Sequence, residues 1–269
     1  MSDHGGSQGL DDFENEVPLH LLPRRVITAD GSTQNNDHVI GESPVALVFN
    51  GISYAVMMAT PADLEDFIVG FALCEGLIER RNDIVDIELR HTAMGIEVDA
   101  TTTNRVAESM RMRRRSMMGP SGCGVCGVES LSQVDRELPE VEKGPTPSIA
   151  AIQRACDQFA DHQTYAGMTS GAHAAAWCQS DGEIICVRED VGRHNAMDKL
   201  MGSRQPESPE EFVIVSSRAS FELVVKAAMA GCSSLVAMSA PTSLAIRKAK
   251  QTGLNLIAFA SGDRHVCYS

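Results

Sequence analysis

Hydrophobic positions follow two different patterns along this chain, and the first of them predicts a hairpin followed by an amphipathic helix. Two β-rich runs within Val45–Met58 flank Asn50-Gly51, a residue pair favoured in the tight turns of hairpins. A helix is predicted next, with Thr60 as its N-cap and Pro61 in its first turn. Its apolar side chains recur at the spacing of one helix face: Leu64, Phe67, Ile68 and Phe71.

Three further elements complete the first half. Ile84–Leu89 and Gly95–Ala100 are predicted strands, and Asn104–Arg115 is a predicted basic helix. The first half is therefore predicted to be a small α+β domain.

The second half alternates apolar strands with amphipathic helices. Ala172–Cys178 and Glu183–Arg188 flank Asp181-Gly182, a second hairpin signal. The later elements are predicted in this order: strand Phe212–Val215, helix Phe221–Ala230, strand Leu235–Met238, helix Leu244–Gln251 and strand Leu256–Phe259. Such alternation forms a mostly parallel sheet with helices on both faces. The predicted fold class is α/β, with a three-layer α/β/α second domain whose opening hairpin makes the sheet mixed.

The predicted organisation has four parts. Residues 1–16 are polar and acidic and are predicted to be a disordered tail, and residues 17–136 are the N-terminal α+β domain, which ends in a cysteine loop. Residues 137–148 are rich in proline and glutamate and are predicted to be a linker. Residues 149–269 are the C-terminal α/β domain, which opens with the predicted helix Ile149–Phe159.

Composition narrows the possible function classes. A net charge of −13 argues against a general nucleic-acid binder, whose binding surface would be basic. No apolar run approaches the roughly 20 residues that cross a bilayer, and the N-terminus lacks the apolar core of a signal peptide. The chain is therefore predicted to be cytoplasmic, where its eight cysteines stay reduced.

The strongest chemical signal is the run Gly122-Cys123-Gly124-Val125-Cys126-Gly127. Glycine gives no side-chain cover to the two thiols, and five arginines within residues 105–115 precede them. Cationic neighbours lower the pKa of a thiol and raise its thiolate fraction, which is the nucleophilic form. Our central hypothesis is that this loop carries sulfur on a cysteine.

Metal binding is the main alternative for a CxxC pair. A structural zinc site needs about four ligands, yet the chain has no second CxxC and no nearby Cys/His pair at the usual spacing. No histidine is followed two residues later by glutamate, as zinc deaminases require. A thioredoxin-like pair would start a helix early in the fold, and an iron–sulfur cluster would take four thiolates. A thiol that is loaded and unloaded with sulfur fits better, and no resident metal is expected. A zinc-stabilised binding module remains the alternative function.

Loops at the carboxyl ends of the strands are the expected ligand sites, because ligands of open α/β sheets bind there. The loop Glu189–Asn195 offers Arg193 and His194 to an anion at a helix start. Asp198 lies one helical turn after His194 and is expected to orient its imidazole. His173 stands beside an apolar run, where a core or capping histidine is the more common interpretation.

A second loop of this kind is Ser216–Ser220, where small hydroxyls and one arginine suit a phosphate group. Ser217 and Arg218 are its candidate binding residues, and simple capping of the following helix by Ser220 is the alternative interpretation, which is compatible with phosphate binding. The uncharged loop Ser239–Ser243 has a similar character and gives a weaker signal.

The chain resembles a known family, the formate dehydrogenase accessory sulfurtransferases of the FdhD type. The matching runs are GCGVCGVE at Gly122–Glu129, TSGAH at Thr169–His173, EDVGRHNAMDK at Glu189–Lys199, SRASFE at Ser217–Glu222 and SAPTSLA at Ser239–Ala245. The resemblance covers nearly the whole chain from about Val17. Ser170 and the tail after Asp263 depart from the family pattern.

The resemblance implies a function. Such proteins accept sulfur from a cysteine desulfurase and pass it to the molybdenum cofactor, in its bis-molybdopterin guanine dinucleotide form. The sulfurated cofactor is then inserted into formate dehydrogenase. Family members are homodimers, and their second domain is similar to cytidine deaminase but lacks its zinc site.

The resemblance also implies roles for single residues. Cys123 is the expected persulfide carrier, and Cys126 is its expected partner. The segment that matches the cofactor contacts of the family comprises Phe259, Ala260, Ser261, Gly262, Asp263 and Arg264. The residues that we add as expected cofactor contacts are Arg193, His194, Ser217 and Arg218. The four phosphates of this cofactor would explain basic loops in an acidic protein.

Overall fold

The structure is a computed structural model that describes residues 16–117, 138–261 and 264–269. Within the part it describes, no helix is both long and apolar enough to cross a membrane. The cysteine pair, Cys123 and Cys126, lies outside the described residues, as do Gly262 and Asp263. The predicted tail lies outside them too, except for its last residue.

The first half contains a separate hairpin and a four-stranded sheet. Its strands are β1 (Leu19–Thr28), β2 (Gly31–Ile40), β3 (Ser43–Phe49), β4 (Ile52–Ala59), β5 (Ile84–Thr92) and β6 (Gly95–Thr102). β1 pairs only with β2, and the larger sheet has the order β4-β3-β6-β5. The hairpin around Asn50-Gly51 and the two later strands are confirmed. The hairpin of β1 and β2 was not predicted, because β2 is mostly polar and both strands are largely exposed.

One face of the four-stranded sheet is covered by α1 (Leu64–Cys74), whose predicted apolar stripe is buried. The predicted start of this helix is wrong. Its N-cap is Asp63, in the left-handed conformation with φ 53°, and its side chain makes no cap hydrogen bond. Thr60 and Pro61 precede the helix, and Thr60 instead bonds to the second half of the chain. The predicted basic helix is confirmed as α2 (Asn104–Met117).

The second half is built around a six-stranded sheet. Its elements are α3 (Ile149–Phe159), α4 (Thr164–Thr169), β7 (His173–Cys178), β8 (Ile184–Asp190), α5 (Arg193–Ser203), β9 (Phe212–Val215), α6 (Phe221–Met229), β10 (Ser234–Ala237), α7 (Ser243–Thr252), β11 (Asn255–Ser261) and β12 (Arg264–Cys267). The strand order is β12-β11-β10-β9-β7-β8. β8 to β11 run parallel, whereas β7 and β12 run antiparallel to them.

Helices cover both faces of this sheet, so the predicted three-layer α/β/α architecture with a mixed sheet is confirmed. α5, α6 and α7 share one hydrophobic cluster with inward-facing strand residues such as Trp177. α3 packs on the opposite face, where Ile152 and Phe159 meet Ile214. The short helix α4 and the edge strand β12 were not predicted. The domain boundaries and the likeness to cytidine deaminase stay predictions.

The two halves meet where α1 crosses α5. Both helices place a glycine at the crossing, so that their backbones touch. A β-carbon added to Gly70 would overlap the carbonyl oxygen of Asp198, and one added to Gly202 would overlap that of Asp66. Arg188 on β8 also donates to Asp66, at 2.6 Å and 2.9 Å. The helix that carries Arg193 and His194 at its start is therefore held directly against the first half.

Candidate functional site

The four parallel strands end at one edge of the six-stranded sheet, which we call the carboxyl edge. The loops after β8, β9, β10 and β11 all leave from it, as the sequence analysis predicted. β7 runs the other way and begins there, so that His173 pairs with Asp190 at this edge. The carboxyl edge thus brings together candidate residues that are far apart in the sequence.

Asp190 organises the loop before α5. Its completely buried carboxylate accepts hydrogen bonds from the backbone amides of Gly192 at 2.7 Å and Thr60 at 2.9 Å, and from Asn195 Nδ2 at 3.0 Å. Lys199 Nζ lies 2.7 Å from the same carboxylate and donates to the carbonyl oxygen of Thr60 at 2.8 Å. This network fixes the start of α5 and joins it to the first half of the chain.

The remaining acids of the EDVGRHNAMDK run also have structural partners. Glu189 accepts hydrogen bonds from the backbone amides of Tyr165 and Ala166 at the start of α4. Asp198 accepts from Lys226 at 2.6 Å and 2.8 Å. Burial opposes the charge of Lys226, but Asp198 outweighs it and raises the pKa of Lys226. These residues hold the fold and leave the start of α5 for a ligand.

Asp198 does not orient His194, so that expectation is wrong. The tight crossing of α1 and α5 turns Asp198 into the interface, where Lys226 neutralises it. His194 faces Glu222 on α6 instead, with its Nε2 3.7 Å from the carboxylate, which is longer than a hydrogen bond. The imidazole lowers the pKa of Glu222 to about 2, so this carboxylate stays ionised at neutral pH.

Three buried polar atoms at the carboxyl edge have no hydrogen-bond partner. They are Arg193 Nε, His194 Nε2 and Ser220 Oγ, although His194 and Ser220 both interact with the Glu222 carboxylate and lower its pKa. In the described part of the chain only one other buried side-chain atom, Thr103 Oγ1, shares this condition. Buried polar groups are normally satisfied, and each one that is not costs free energy. Their concentration at one edge indicates a site built for a polar ligand.

The starts of α5 and α6 lie at the same edge as these atoms and also indicate a ligand site. Gly192, the N-cap of α5, has no side chain, and the side chain of Ser220, the N-cap of α6, accepts no hydrogen bond from the first turn of its helix. The interpretation of Ser220 as a side-chain cap is therefore wrong, although its backbone does take the N-cap position. Free amides and the helix dipole at such an end attract anions.

The loop after β9 holds the other two candidates. Ser217 is buried and its hydroxyl donates to the carbonyl oxygen of Arg218 at 3.1 Å, while the Arg218 side chain is exposed. Ser216 accepts a hydrogen bond from Ala174 at 2.9 Å and so ties this loop to β7. Arg218 is thus presented to solvent beside the carboxyl edge.

His173 is a site residue that sequence reasoning undervalued. It is half-buried, and burial lowers its pKa, as do Arg193 and His194, whereas Asp190 opposes them. A half-buried imidazole with a lowered pKa thus lies near the Arg193 guanidinium at the carboxyl edge. Only the pairing of β7 with β8 reveals this position, because residues 173 and 190 are directly opposite each other.

Phe259 is strained. It lies in β11 with φ 54°, a left-handed conformation that bulky residues rarely adopt. The register of β11 with β12 shifts between Ala258 and Ser261, and the Phe259 side chain is 37% exposed. Backbone strain of this kind concentrates at functional sites. In the expected cofactor segment Ala260 is buried, whereas Ser261 and Arg264 are exposed and face each other across the ladder.

Most of the described cysteines are poor nucleophiles. Burial raises the pKa of Cys74, Cys156, Cys178 and Cys232, in the last case to about 12. Cys186 is half-buried and lies 3.5 Å from Ser203 Oγ, which leaves Cys267 as the exposed thiol of the described region.

In the arginine run, Arg105 donates to Asp83 at 3.0 Å and so acts within the first half.

Comparison with known proteins places the chain in a family. The FdhD/NarQ family matches residues 40–269. The chain belongs to this family. The FdhD/NarQ match begins at the last residue of β2, so almost all of the polar hairpin lies outside it.

Relatives in this family are close. The chain is 45% identical to a sulfur carrier protein FdhD of Variovorax paradoxus over 95% of both chains. A protein of the same name from Bordetella petrii is 45% identical over 93% of this chain and 95% of its own. A crystal structure of a candidate formate dehydrogenase accessory protein from Desulfotalea psychrophila shares the fold. Its TM-score is 0.73 at 22% identity, over 93% of this chain and 96% of the other.

Two replacements of Phe259 distinguish the cost of its backbone strain from the effect of losing its aromatic ring. We expect Phe259→Gly to be more stable than Phe259→Ala by about 1 kcal/mol, because only glycine adopts φ 54° without cost. Both variants lack the ring, so the expected role of Phe259 in cofactor binding predicts that their affinity for GDP falls equally below that of the wild type. Urea denaturation and calorimetric titration with GDP measure the two effects. Equal stabilities would show that the left-handed conformation carries no strain.

Proposed function

We propose that this protein is a sulfur carrier with sulfurtransferase activity that serves formate dehydrogenase. Cys123 carries the sulfur as a persulfide, and Cys126 is its partner thiol. The support is the glycine-flanked CxxC pair together with relatives named sulfur carrier proteins, which are 45% identical over nearly the whole chain. The burial of the other thiols adds to this support, because it leaves few nucleophiles.

Loading is a thiol exchange reaction. The Cys123 thiolate attacks the terminal sulfur of a persulfide on a cysteine desulfurase. The sulfur–sulfur bond of the donor breaks, a new one forms at Cys123, and the donor cysteine leaves as a thiolate. No net oxidation occurs, so the step needs no further reactant. Cys126 lies three residues away and assists the release of the sulfur or resolves a stalled adduct.

The substrate that receives the sulfur is the molybdenum cofactor, as bis-molybdopterin guanine dinucleotide, before its insertion into formate dehydrogenase. The observation that carries this proposal is the pair of buried side-chain nitrogens, Arg193 Nε and His194 Nε2, at the start of α5 on the carboxyl edge. Arg218 is exposed in the loop after β9 at the same edge, and Phe259 offers an aromatic ring. Cationic donors fit phosphate oxygens, and an exposed ring fits a heterocycle.

In this proposal the protein acts in the cytoplasm as a homodimer. Its partners are a cysteine desulfurase, which donates the sulfur, and formate dehydrogenase, which receives the finished cofactor. The proposal includes no resident metal, nucleic acid or membrane partner.

A mass measurement tests the sulfur-carrier proposal directly. The purified protein is incubated with cysteine and a cysteine desulfurase, and we expect its mass to rise by one sulfur atom that dithiothreitol removes. Metal analysis of the same sample distinguishes the alternative. Stoichiometric zinc with no gain of sulfur would indicate a zinc-stabilised binding module and contradict the proposal.

A further inference from the structure

The hairpin of β1 and β2 forms a separate two-stranded ribbon, which we call the arm. Its strands have ten residues each and pair along their whole length, but they pair with no other strand of the described chain. No residue of either strand is buried. An isolated two-stranded hairpin is at best marginally stable in water, so a ribbon of this length is expected to pack against another surface.

One face of the arm combines apolar side chains with an unpaired cation. Leu21, Arg25 and Ile27 alternate along β1 and therefore lie on the same face. Leu21 is 59% exposed and Ile27 is 73% exposed. Arg25 is exposed and has no ion pair within the described residues, whereas Arg24 on the opposite face is paired with Asp37. This face of the arm therefore fits a surface that offers both apolar contact and negative charge.

Such a surface lies on the side of the four-stranded sheet that α1 does not cover, which we call the open face. Val45 and Leu47 point towards α1 and are buried, so Ala46 between them lies on the open face. The register then places on the same face two exposed apolar residues and four acids, which are Val56, Met58, Asp86, Glu88, Glu97 and Asp99. Val56 is 43% exposed and Met58 is 50% exposed.

The acids of the open face outnumber its bases. Arg90 lies among them and is held by Glu97 and Asp99, at 3.1 Å from each. Asp86 is exposed and has no ion pair in the part of the chain that the structure describes. The open face thus complements the charge of Arg25.

The arm does not cover the open face of its own chain, because the apolar side chains of both surfaces are exposed. It packs instead against α4. A second copy of the chain is therefore needed to bring the two surfaces together.

Net charge favours the arm as the place where two copies meet. Residues 19–40 contain two arginines and two aspartates, so the net charge of the arm is zero, and the rest of the chain carries the whole net charge of −13. Two copies repel each other over most of their surfaces, and the repulsion is weakest at the arm.

The arm is also large enough for a stable dimer. A strand of ten residues is about 33 Å long, and two paired strands are about 10 Å wide, so one face covers roughly 330 Å². In a two-fold symmetric dimer each arm contacts the open face of the other chain. Counting the arms and the open faces together, roughly 1,300 Å² would be buried, which is within the range of specific, stable interfaces.

We propose that the arm of one chain lies across the open face of a second copy, so that two chains exchange arms in a symmetric homodimer. The apolar side chains of the arm contact Val56 and Met58, and Arg25 faces the acids of the open face. The homodimer is part of the proposed function, so this inference rests on that function and deepens it by naming the interface.

Sedimentation of the full chain over a range of concentrations tests this interface by measuring the dissociation constant of the dimer. Arg25→Glu should raise that constant about tenfold or more, because it places like charges opposite each other. Asp86→Arg should also raise it, for the same reason. The double variant Arg25→Glu/Asp86→Arg restores opposite charges across the interface and should dimerise more tightly than either single variant.

Ile27→Ser tests the apolar part of the interface and should also raise the dissociation constant about tenfold or more. Ile149→Ser and Arg247→Glu are the matched controls. Ile149 is 60% exposed at the start of α3, and Arg247 is exposed on α7, so these variants change the same kinds of side chain outside the arm and the open face. Both should dimerise like the wild type. Circular dichroism spectra identical to that of the wild type verify that each variant is folded.

Two results would overturn this interface while leaving the homodimer in place. They are wild-type dimerisation of Arg25→Glu and Ile27→Ser, or a double variant that dimerises no better than the single variants. A wild type that stays monomeric at all concentrations would remove both this inference and the homodimer of the proposed function. Sulfur loading at Cys123 is measured separately, so the sulfur-carrier proposal is tested independently of the interface.

Discussion

Cys123→Ala is expected to lose sulfur loading completely. After incubation with cysteine and a cysteine desulfurase, the variant should show no gain in mass, whereas the wild type gains one sulfur atom. In a strain that lacks the protein, the variant should leave formate dehydrogenase inactive. Cys126→Ala changes the other thiol of the same loop and should still load one sulfur at Cys123.

The physical reason is that most of the described thiols are poor substitutes for Cys123. Cys74, Cys178 and Cys232 are buried, and burial raises the pKa of each. With the pKa of Cys232 raised to about 12, only roughly 3 in 100,000 of its thiols would be ionised at pH 7.5. Since the thiolate is the attacking form, these cysteines cannot replace Cys123 at a useful rate.

Cys267→Ser is the control, because Cys267 is the exposed cysteine of the described region. It should load sulfur like the wild type and restore formate dehydrogenase activity. Full loading of Cys123→Ala would contradict the carrier role, and so would loss of loading in Cys267→Ser alone.

Gly70→Ala is expected to destabilise the fold by about 3 kcal/mol or more. The added methyl group would overlap the carbonyl oxygen of Asp198, and the nearest atoms all belong to the backbone of α5. A flexible side chain could rotate away from the methyl group, but here two packed helix backbones must separate. The expected loss of stability is therefore at the upper end of the range for added methyl groups in well-packed cores. Urea denaturation of the two proteins measures the difference.

Gly70→Ala should also alter the candidate site. α5 begins with Arg193 and His194, so a shift of α5 away from α1 would move both side chains. We therefore expect Gly70→Ala also to bind GDP more weakly under conditions in which it is still folded.

Gly167→Ala is the matched control for this experiment. Gly167 also lies in a helix, α4, but nothing lies within 4 Å of the position that its β-carbon would take. This variant should be as stable as the wild type or more stable by about 0.5–1 kcal/mol, since alanine favours a helix. If Gly70→Ala unfolded at the same urea concentration as Gly167→Ala, the close crossing of α1 and α5 would be contradicted.

Local sequence signals predicted most elements of the second half. The alternation of apolar strands and amphipathic helices was enough, because strands such as β9 and β10 are buried on both faces and a helix such as α6 has one apolar face. The hairpin of β1 and β2 was not predicted, because its strands are largely exposed and show no continuous apolar run. The short helix α4 escaped because it has no buried residue and too few turns for a period.

The roles of single polar residues were harder to predict. Asp198 lies one turn from His194 in the sequence, yet its carboxylate is bound by Lys226, which lies 28 residues away along the chain. Thr60 resembles a helix cap but bonds to the loop at Asp190, 130 residues later. Such partners are set by how the two halves pack, and local spacing carries no information about them.

By itself, the sequence determined the α/β class, the order of most strands and helices in the second half, and the family to which the chain belongs. The spacing of apolar residues and the residues favoured in turns are visible in the sequence, and they predict strands, helices and hairpins directly. Only the tertiary structure decided which side chains of the EDVGRHNAMDK run are structural and which remain for a ligand. It also revealed that Ser220 caps nothing. The physical reason is that a buried polar group is satisfied or left unsatisfied by partners from distant parts of the chain, which meet only when the sheet and its helices have packed.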